Sequence, residues 1–567
     1  MTTLDHPAGA TMPFTLSKPL VRLLLVLGGF TLLTLLFFWP WLSQVSSALI
    51  GPPEDNMQDF WNSWHVAHAQ SWRDLFFTDT IRFPQGTSLA YHSFAWPQVF
   101  AVALLARLFG DNFVTLVTLQ NLTLLACFPL AAAAMFYLAR HLLGEGRDLG
   151  AAVAGFIFAF NPWHVAQVMH HAHVSGIEFL PLFVLCYLKA SEKPDWRWLA
   201  GAAVMQALSA LSCWYFLFYT LYFFAFHLLY LRLSHRRWPR GWPLAAPVLC
   251  TMGALLLLSP WLIPMLATHS SSSLYYVGNN MFVADLAALV AFPPTHLFAS
   301  FGSGIYTAIS GNAWEGTVYL GLVNLALLGW VFTRKYEKRL LHYALGGAAF
   351  FLVIAAGEAL HVAGRVTPLH LPGVLFSHLP FFANVRTPAR AMVMVFLFLG
   401  LALGHAVSLL KDRKIALTLM AALMLLDFMP ARLQSTPAAC PPALQAIAND
   451  PEQSGVLDLP RGYEAGNAAM MLAACHGHPI VAGETARQMG LTLLDKLQTR
   501  DLAPQQRQLA AAHVKYVILH RPKDGLFAWK AADGAWNSYV HTYGVVARDQ
   551  TLTVLRLLIV RHTRHGL

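Results

Sequence analysis

Long apolar stretches separated by short polar ones run through most of the chain. The stretches at 20–39, 248–266 and 391–410 are predominantly apolar over about twenty residues each, long enough for a helix to cross roughly 30 Å of hydrocarbon. After residue 429 the pattern changes to shorter segments. These predict strands at 456–459, 516–520 and 554–560 and helices at 442–449, 467–475 and 502–513. We therefore expect an all-α polytopic membrane domain over 1–429 and a small α/β domain over 430–567.

Composition agrees with a membrane protein. Of the 567 residues, 56% are hydrophobic and 12% are charged, whereas an ordinary soluble domain has roughly 25% charged residues. A soluble protein cannot cover its surface with so few charges, so this class is excluded. No Ala-x-Ala cleavage site follows the first apolar stretch, which is also too long for a signal-peptide core. We expect it to remain as the first membrane helix.

The basic residues are distributed as topology signals. A formal net charge of +10 would suggest a nucleic-acid partner in a soluble protein. Here the basic residues lie in short loops between apolar stretches, at 140–147, 189–197, 235–240, 334–339 and 411–414. The positive-inside rule assigns such loops to the cytoplasm. We therefore expect the lipid bilayer, and no nucleic acid, as a partner.

The remaining loops then face outward. They lie at 51–112, 161–175, 212–214, 269–315 and 361–386. This assignment of loops to the two sides is consistent only if the apolar segment 95–109 dips into the interface without crossing the membrane. If it crossed, the later basic loops would lie on the outer side. The assignment predicts about eleven crossings, within a range of about 11–13, in a bacterial inner membrane, with the N-terminus in the cytoplasm and the C-terminal domain in the periplasm.

The six cysteines divide into two groups. Four lie in or at the ends of apolar stretches, where they are most simply packing residues: Cys127, Cys186, Cys213 and Cys250. Cys440 and Cys475 are the pair in the C-terminal domain. An oxidising compartment would allow a disulfide between them.

Three carboxylates follow the first predicted helix. Glu54, Asp55 and Asp59 lie at the start of the first outer loop, and Asp55 and Asp59 would share one face of a helix. A carboxylate there, partly desolvated by neighbouring tryptophans, has the chemistry of a general base for an acceptor hydroxyl. The alternative is an ordinary N-cap followed by an amphipathic helix at the lipid headgroups.

Histidines are concentrated in the second outer loop. His170, His171 and His173 precede Glu178, and His65 belongs to the first outer loop. Such side chains bind an acceptor or substrate, its phosphate, or a divalent metal such as Mg or Mn. No CxxC or HExxH pattern fixes a metal, so no cofactor is certain.

Arginines on an outer loop are unexpected, because the positive-inside rule concentrates basic residues in cytoplasmic loops. Arg386 and Arg390 lie at the entrance of the apolar stretch 391–410. Guanidinium groups bind phosphate bidentately, and a lipid-linked phosphate would lie at this depth. Arg82 is a weaker candidate for the same task. Snorkelling to ordinary headgroups is the alternative.

Four short motifs carry a resemblance to a known family. They are Phe83-Pro-Gln-Gly86, Leu211-Ser-Cys-Trp-Tyr215, Arg386-Thr-Pro-Ala-Arg390 and His476-Gly-His-Pro-Ile-Val-Ala-Gly483. The chain also has an acidic residue after the first helix and a long first outer loop. With these features and the four motifs, it resembles the GT-C glycosyltransferases over nearly its whole length. More narrowly, the motifs are similar to those of bacterial YfhO-like and related uncharacterised GT-C membrane proteins.

The resemblance implies a reaction. In this family the acidic residue after the first helix is the usual base, which maps onto Asp55, with Asp59 or Glu54 as substitutes. The donor would be a polyprenyl-phosphate sugar whose phosphate is held by the arginines, and transfer to a glycan or lipid would proceed with inversion. The family often has a second acid in the second outer loop, where this chain offers only Glu178.

Two other classes of function stay open. A transporter or flippase for a lipid-linked substrate would place ionisable residues near mid-membrane, whereas here they gather at the helix ends. A non-catalytic GT-C-like protein of envelope glycan assembly would keep the fold without the chemistry. Sugar transfer by variants of Asp55 and Asp59 separates these classes.

Overall fold

The computed structural model describes residues 18–268, 280–333, 339–374, 386–410, 413–486, 491–498, 501–521 and 533–557. Its first helices are α1 (Lys18–Phe37), α2 (Trp39–Leu42), α3 (Asp55–His68), α4 (Trp96–Phe109), α5 (Phe113–Leu143), α6 (Asp148–Ala159), α7 (Pro162–His170) and α8 (Phe179–Glu192). They are followed by α9 (Trp196–Ser212), α10 (Trp214–His235), α11 (Trp242–Ala267), α12 (Ala299–Ala308), α13 (Leu322–Phe332), α14 (Arg339–Ala355), α15 (Met392–Ser408) and α16 (Lys414–Phe428). Part of the basic loops 334–339 and 411–414 lies outside the described residues.

The helical part is that of a multi-pass membrane protein. Within the described ranges, seven helical segments are long and apolar enough to cross a membrane. They are Lys18–Phe37, Phe113–Leu143, Asp148–His170, Ala172–Glu192, Trp214–His235, Trp242–Ala267 and Pro388–Ser408. On α1 and α11 large apolar side chains point away from the protein, such as Leu25 and Leu256, each more than 70% exposed. Such a surface requires lipid around it. The number of crossings and the orientation stay predictions.

Helix α4 covers the segment predicted to dip. Its fourteen residues span about 21 Å at 1.5 Å per residue, less than the roughly 30 Å of a hydrocarbon core. One side packs on α3 and α5, while Leu104, Leu108 and Phe109 are exposed. A short helix with a bare apolar end favours an interfacial position over a crossing.

The centre of the bundle is packed by small residues. Helix α6 lies between α5 and α15. Gly150 of α6 and Gly404 of α15 face each other so closely that a Cβ on Gly150 would lie 2.4 Å from the Gly404 carbonyl oxygen. This approach buries α15 almost completely. The helix that begins beside Arg390 is therefore held rigidly in the core.

The strands of the described residues fall into four sheets. They are β1 (Ala48–Ile50), β2 (Phe77–Thr78), β3 (Thr87–Ser88), β4 (Ala359–Val362), β5 (Arg365–His370), β6 (Ser435–Pro437), β7 (Gly455–Leu459), β8 (Val514–His520), β9 (Gly544–Arg548) and β10 (Leu552–Arg556). The largest has the order β7-β8-β10-β9, with β7 and β8 parallel and the other pairs antiparallel. Pairs β2–β3 and β4–β5 are hairpins.

The C-terminal unit is an α/β unit, as expected. Its helices are α17 (Gln445–Ala448), α18 (Tyr463–His476), α19 (Leu493–Lys496), α20 (Leu502–Ala511) and α21 (Asp533–Thr542). The three predicted strands correspond to β7, β8 and β10; residues 558–560 of the third lie outside the described residues. Strand β9 and helix α21 were not predicted. Since Val545 and Val546 of β9 are both about half exposed, the apolar alternation that marks a half-buried strand is missing there.

The C-terminal unit is joined to the loop between α2 and α5. Strand β1, which precedes α3, pairs with β6, which follows α16. The amide of Phe83 donates to the carbonyl oxygen of Ile480, and one apolar cluster includes Met57, Met470 and Met471. Cys440 and Cys475 form a disulfide, with their Cα atoms 5.6 Å apart. The unit is therefore fixed against the N-terminal end of α3.

Candidate functional site

The chain enters α3 through a close backbone contact. Gly51 has φ +98°, and a Cβ at this position would lie 1.7 Å from the carbonyl oxygen of Met169 on α7. Only glycine fits this conformation and this spacing. Asn56 holds the same turn by donating to the carbonyl oxygens of Ile50 and Gly51. The contact brings the carboxylates that follow Gly51 against the histidines at and just after the end of α7.

Glu54 meets the first histidine. Its Oε2 lies 2.9 Å from Nδ1 of His170, which is fully buried at the end of α7. The imidazole stacks on the Trp314 ring with 3.8 Å between ring centroids. The carboxylate itself is partly exposed. Glu54 therefore has a fixed partner on one side and an accessible face on the other.

Asp55 is the first residue of α3 and contacts the C-terminal unit. The Tyr463 hydroxyl donates to its Oδ1 at 2.7 Å. Burial raises the pKa of Asp55 above its ordinary value, while the charge of His173 and the Tyr463 hydrogen bond lower it and the charge of Asp59 raises it further. The net direction is upward. A carboxylate with a raised pKa is a stronger base once it is ionised.

Asp59 lies one turn along the same face of α3. It is buried, and its Oδ2 lies 3.6 Å from Nδ1 of His173. Neither of these two atoms has a hydrogen-bond partner among the described residues. Its Oδ1 accepts a hydrogen bond from Asn62. The pair thus keeps unused hydrogen-bonding capacity beside Asp55.

A fourth carboxylate comes from the loop before α13. Glu315 is buried, and its Oε1 lies 3.6 Å from Nε2 of His171. The same oxygen accepts hydrogen bonds from Nε of Arg390, at 2.9 Å, and from Nη2. Burial raises the pKa of Glu315, but the charges of Arg390 and His171 outweigh it and hold the pKa at about 2. Glu315 is therefore ionised at neutral pH.

Three carboxylate–histidine pairs consequently lie side by side. The His170 and His171 rings are 6.4 Å apart and the His171 and His173 rings 5.9 Å apart, measured between centroids. Asp55 borders this row. Glu54, Asp55, Asp59, His170, His171, His173 and Arg390, singled out in the sequence, are thus brought together. The sequence placed them on three separate loops.

Four other candidates lie apart from the row or make other contacts. Arg82 is buried in the loop against the C-terminal unit, where its amide donates to Ala482. His65 is buried, with Nε2 2.7 Å from the Asp74 carbonyl oxygen, and burial lowers its pKa. Glu178 is the buried residue preceding α8. Arg386 is exposed four residues before Arg390.

Sequence reasoning missed several residues of this site. Glu315, Trp314, Gln167 and Tyr463 all contact the row, and Gln167 donates to Oε2 of Glu315. Glu315 had a signal, since it is an isolated acid directly before an apolar stretch, as Asp55 is directly after one. Tyr463 had none, because its contact depends on the docking of the C-terminal unit.

The histidine row does not have the geometry of a metal centre. Each histidine faces one carboxylate, and among the described residues no group of three or more His, Cys, Asp or Glu side chains is arranged to hold a metal ion. Dependence on Mg or Mn stays a prediction from the sequence.

Comparison with known proteins identifies a matching family model and solved structures with a similar fold. The model of a family described as a domain of unknown function, DUF6311, matches residues 5–429. No curated protein matches the sequence. Among solved structures, the arabinofuranosyltransferase AftD from Mycobacteria is similar with a TM-score of 0.56 and 13% identity over 96% of this chain. This chain spans 40% of the AftD chain. The shared fold is that of the GT-C glycosyltransferases.

Two further structures are similar at lower scores. The oligosaccharyltransferase AglB from Archaeoglobus fulgidus, in complex with an inhibitory peptide and a dolichol-phosphate, gives a TM-score of 0.45 and 14% identity over 93% of this chain and 73% of its own. ArnT from Cupriavidus metallidurans, bound to undecaprenyl phosphate, gives 0.41 and 12% over 95% of this chain and 98% of its own. At these scores we draw no conclusion from either protein.

Proposed function

Since the chain belongs to the family that shares the domain of unknown function DUF6311 and has a GT-C fold, we propose that it is an integral-membrane glycosyltransferase. It transfers a sugar from a polyprenyl-phosphate donor to a glycan or lipid acceptor at the outer face of the membrane. The carboxylate–histidine row beside Asp55 is the observation that carries this proposal. The similarity to AftD supports the class of reaction, while the sugar, the acceptor and the narrower likeness to YfhO-like proteins stay predictions.

Asp55 is the proposed general base. It lies at the edge of the row, and its raised pKa matches the removal of a proton from a hydroxyl. The acceptor oxygen gives its proton to Asp55 as it bonds to the anomeric carbon. The bond from that carbon to the donor phosphate breaks, and polyprenyl phosphate leaves with both electrons. Attack opposite the leaving group inverts the anomeric configuration.

The arginines have different tasks in this proposal. Arg390 is buried and already bound by Glu315, so its charge serves first to hold that carboxylate in place. Arg386 is exposed at the same helix entrance, which makes it the first candidate for the donor phosphate. A guanidinium group beside the departing phosphate would stabilise its negative charge. Arg82 is buried against the C-terminal unit and takes a minor part.

The acceptor is proposed to bind in the C-terminal unit, beside the start of α3. A cavity of about 350 Å³ within this unit is lined by residues that include Asp458, Arg461, Tyr463 and Glu484. Tyr463 also contacts Asp55, so an acceptor in this cavity would lie next to the base. Carboxylate, guanidinium and phenol groups together suit the hydroxyl groups of a sugar.

The direct test is release of the leaving group. The full chain is reconstituted in liposomes with radiolabelled polyprenyl-phosphate pentoses and hexoses and a glycan or lipid acceptor fraction. We expect polyprenyl phosphate to appear only when protein and acceptor are both present, as measured by chromatography of the labelled lipid. An intact donor that merely changes leaflet would support a transporter and contradict the proposal. An intact, unmoved donor with every acceptor would support a non-catalytic protein.

The Tyr463→Phe variant should change the pH dependence of this reaction. The base works only when ionised, and the Tyr463 hydrogen bond lowers the Asp55 pKa. Without it the pKa of Asp55 rises, so we expect the acid side of the pH–rate profile to move to higher pH while the rate at high pH and saturating acceptor is retained. Tyr543→Phe, which removes a hydroxyl bound to Gln505, is the control. An unmoved profile would show that Asp55 is not the titrating base.

A further inference from the structure

A second and larger cavity lies at the opposite end of the bundle. It measures about 1180 Å³ and opens between the ends of α8, α10 and α15 and the starts of α11 and α14. Helix α15 begins beside Arg390 and reaches this cavity at His405, about 22 Å further at 1.5 Å per residue. The cavity is therefore separate from the carboxylate–histidine row.

Arginines from three different segments border this cavity. They are Arg147 before α6, Arg237 and Arg240 between α10 and α11, and Arg339 at the start of α14. All four side chains are exposed. Within the described part of the chain, none of them forms an ion pair with a carboxylate. The positive-inside rule explains basic residues at this end, but it does not explain their convergence on one cavity.

The floor of the cavity is polar as well. Tyr187, His227, Tyr343 and His405 line it and are all buried. Nδ1 of His227 lies 3.2 Å from the Tyr343 hydroxyl. The Tyr187 hydroxyl has no hydrogen-bond partner among the described residues. A buried hydroxyl in this state is destabilising unless a ligand satisfies it.

The residues around the cavity indicate that it lies at the level of the lipid headgroups. Trp238 lines it and is largely exposed, with the Arg232 guanidinium 5.8 Å from its ring centroid. Exposed tryptophan beside arginine is typical of the headgroup level. Apolar side chains of α11, including Leu244 and Val248, are exposed just beyond it. A ligand here would find cations for a headgroup and an apolar surface for acyl chains.

We propose that this cavity binds the phosphate headgroup of an anionic glycerophospholipid from the cytoplasmic leaflet. The four arginines supply charge-assisted hydrogen bonds to the phosphate oxygens, and the Tyr187 hydroxyl supplies one further donor. The acyl chains lie along α11. A lipid bound in this way links the loop before α6, the loop between α10 and α11 and the first residue of α14. This proposal is independent of the reaction proposed at the other end of the bundle.

Native mass spectrometry of the full chain in detergent tests this proposal. Phosphatidylglycerol and phosphatidylcholine with the same acyl chains are added separately, and a polyprenyl phosphate is added as a competitor. We expect retention of phosphatidylglycerol over phosphatidylcholine. The triple variant Arg237→Gln/Arg240→Gln/Arg339→Gln should weaken this retention about tenfold or more, since it removes three donors of charge-assisted hydrogen bonds to the phosphate.

A matched triple variant controls for charge. Lys193→Gln/Arg197→Gln/Arg236→Gln removes three exposed positive charges at the same end of the bundle but outside the cavity lining. It should keep wild-type retention of phosphatidylglycerol. Tyr187→Phe, which removes only the buried hydroxyl, should weaken retention severalfold. Equal binding by the two triple variants, equal binding of both phospholipids, or tighter binding of polyprenyl phosphate in the same cavity would overturn the proposal.

Discussion

Sugar transfer by the Asp55→Asn variant is expected to fall by about 10²–10⁴, the usual contribution of a positioned general base. Asparagine keeps the shape of the side chain and its ability to accept from Tyr463, but it cannot take a proton from the acceptor. The measurement is the release of polyprenyl phosphate at saturating donor. Binding of the donor should change little, so the loss should appear in kcat rather than KM.

The neighbouring carboxylates make this result interpretable. Asp59→Asn should cost less than Asp55→Asn, because Asp59 is buried and faces His173. Asp111→Asn removes an exposed carboxylate from the same loop and should have no effect. A wild-type rate for Asp55→Asn with a large loss for Asp59→Asn or Glu54→Gln would move the base to that residue. Wild-type rates in all three would leave the reaction without a carboxylate base.

Much of the fold follows from apolar periodicity and charge. Twenty-residue apolar stretches predict membrane helices because a helix of that length spans the hydrocarbon and satisfies its backbone hydrogen bonds within the segment. The C-terminal strands β7, β8 and β10 were predicted since their residues form bounded apolar runs. Strand β9 was missed, because its exposed residues carry no such pattern.

The site was predicted only in part, for a physical reason. The acids of α3 and the histidines after α7 were found because each set is clustered in sequence. Their pairing depends on the Gly51 contact with Met169, which only the folded backbone reveals. Glu315 comes from a distant loop, and it gives His171 and Arg390 a carboxylate that the second outer loop itself was expected to supply. Sequence spacing does not encode such long-range partners.

The Glu315–Arg390 ion pair should dominate the stability of this end of the bundle. Removing one member, by Glu315→Gln or Arg390→Gln, leaves the other charge buried without a partner. Such losses cost about 3–5 kcal/mol in free energy of unfolding. Because Glu315 also faces His171, we expect transfer activity to fall in the same variants. The measurement is unfolding in a dodecyl sulfate titration of the detergent-purified protein.

The double variant Glu315→Gln/Arg390→Gln distinguishes the contribution of the ion pair from the cost of leaving one charge buried without a partner. Two neutral amides leave no uncompensated charge, so it should be more stable than either single variant. Arg140→Gln is the control, since its partly exposed pair with Asp148 contributes only about 0–1 kcal/mol. The pair also has a pH signature: the pKa of Glu315 lies near 2 when folded and about 4.3 when unfolded. Its stabilisation is therefore complete above the unfolded pKa and is lost as the pH falls toward 2. Additive single and double variants would show that the two charges are not coupled, and Arg390 would then be available for the donor phosphate.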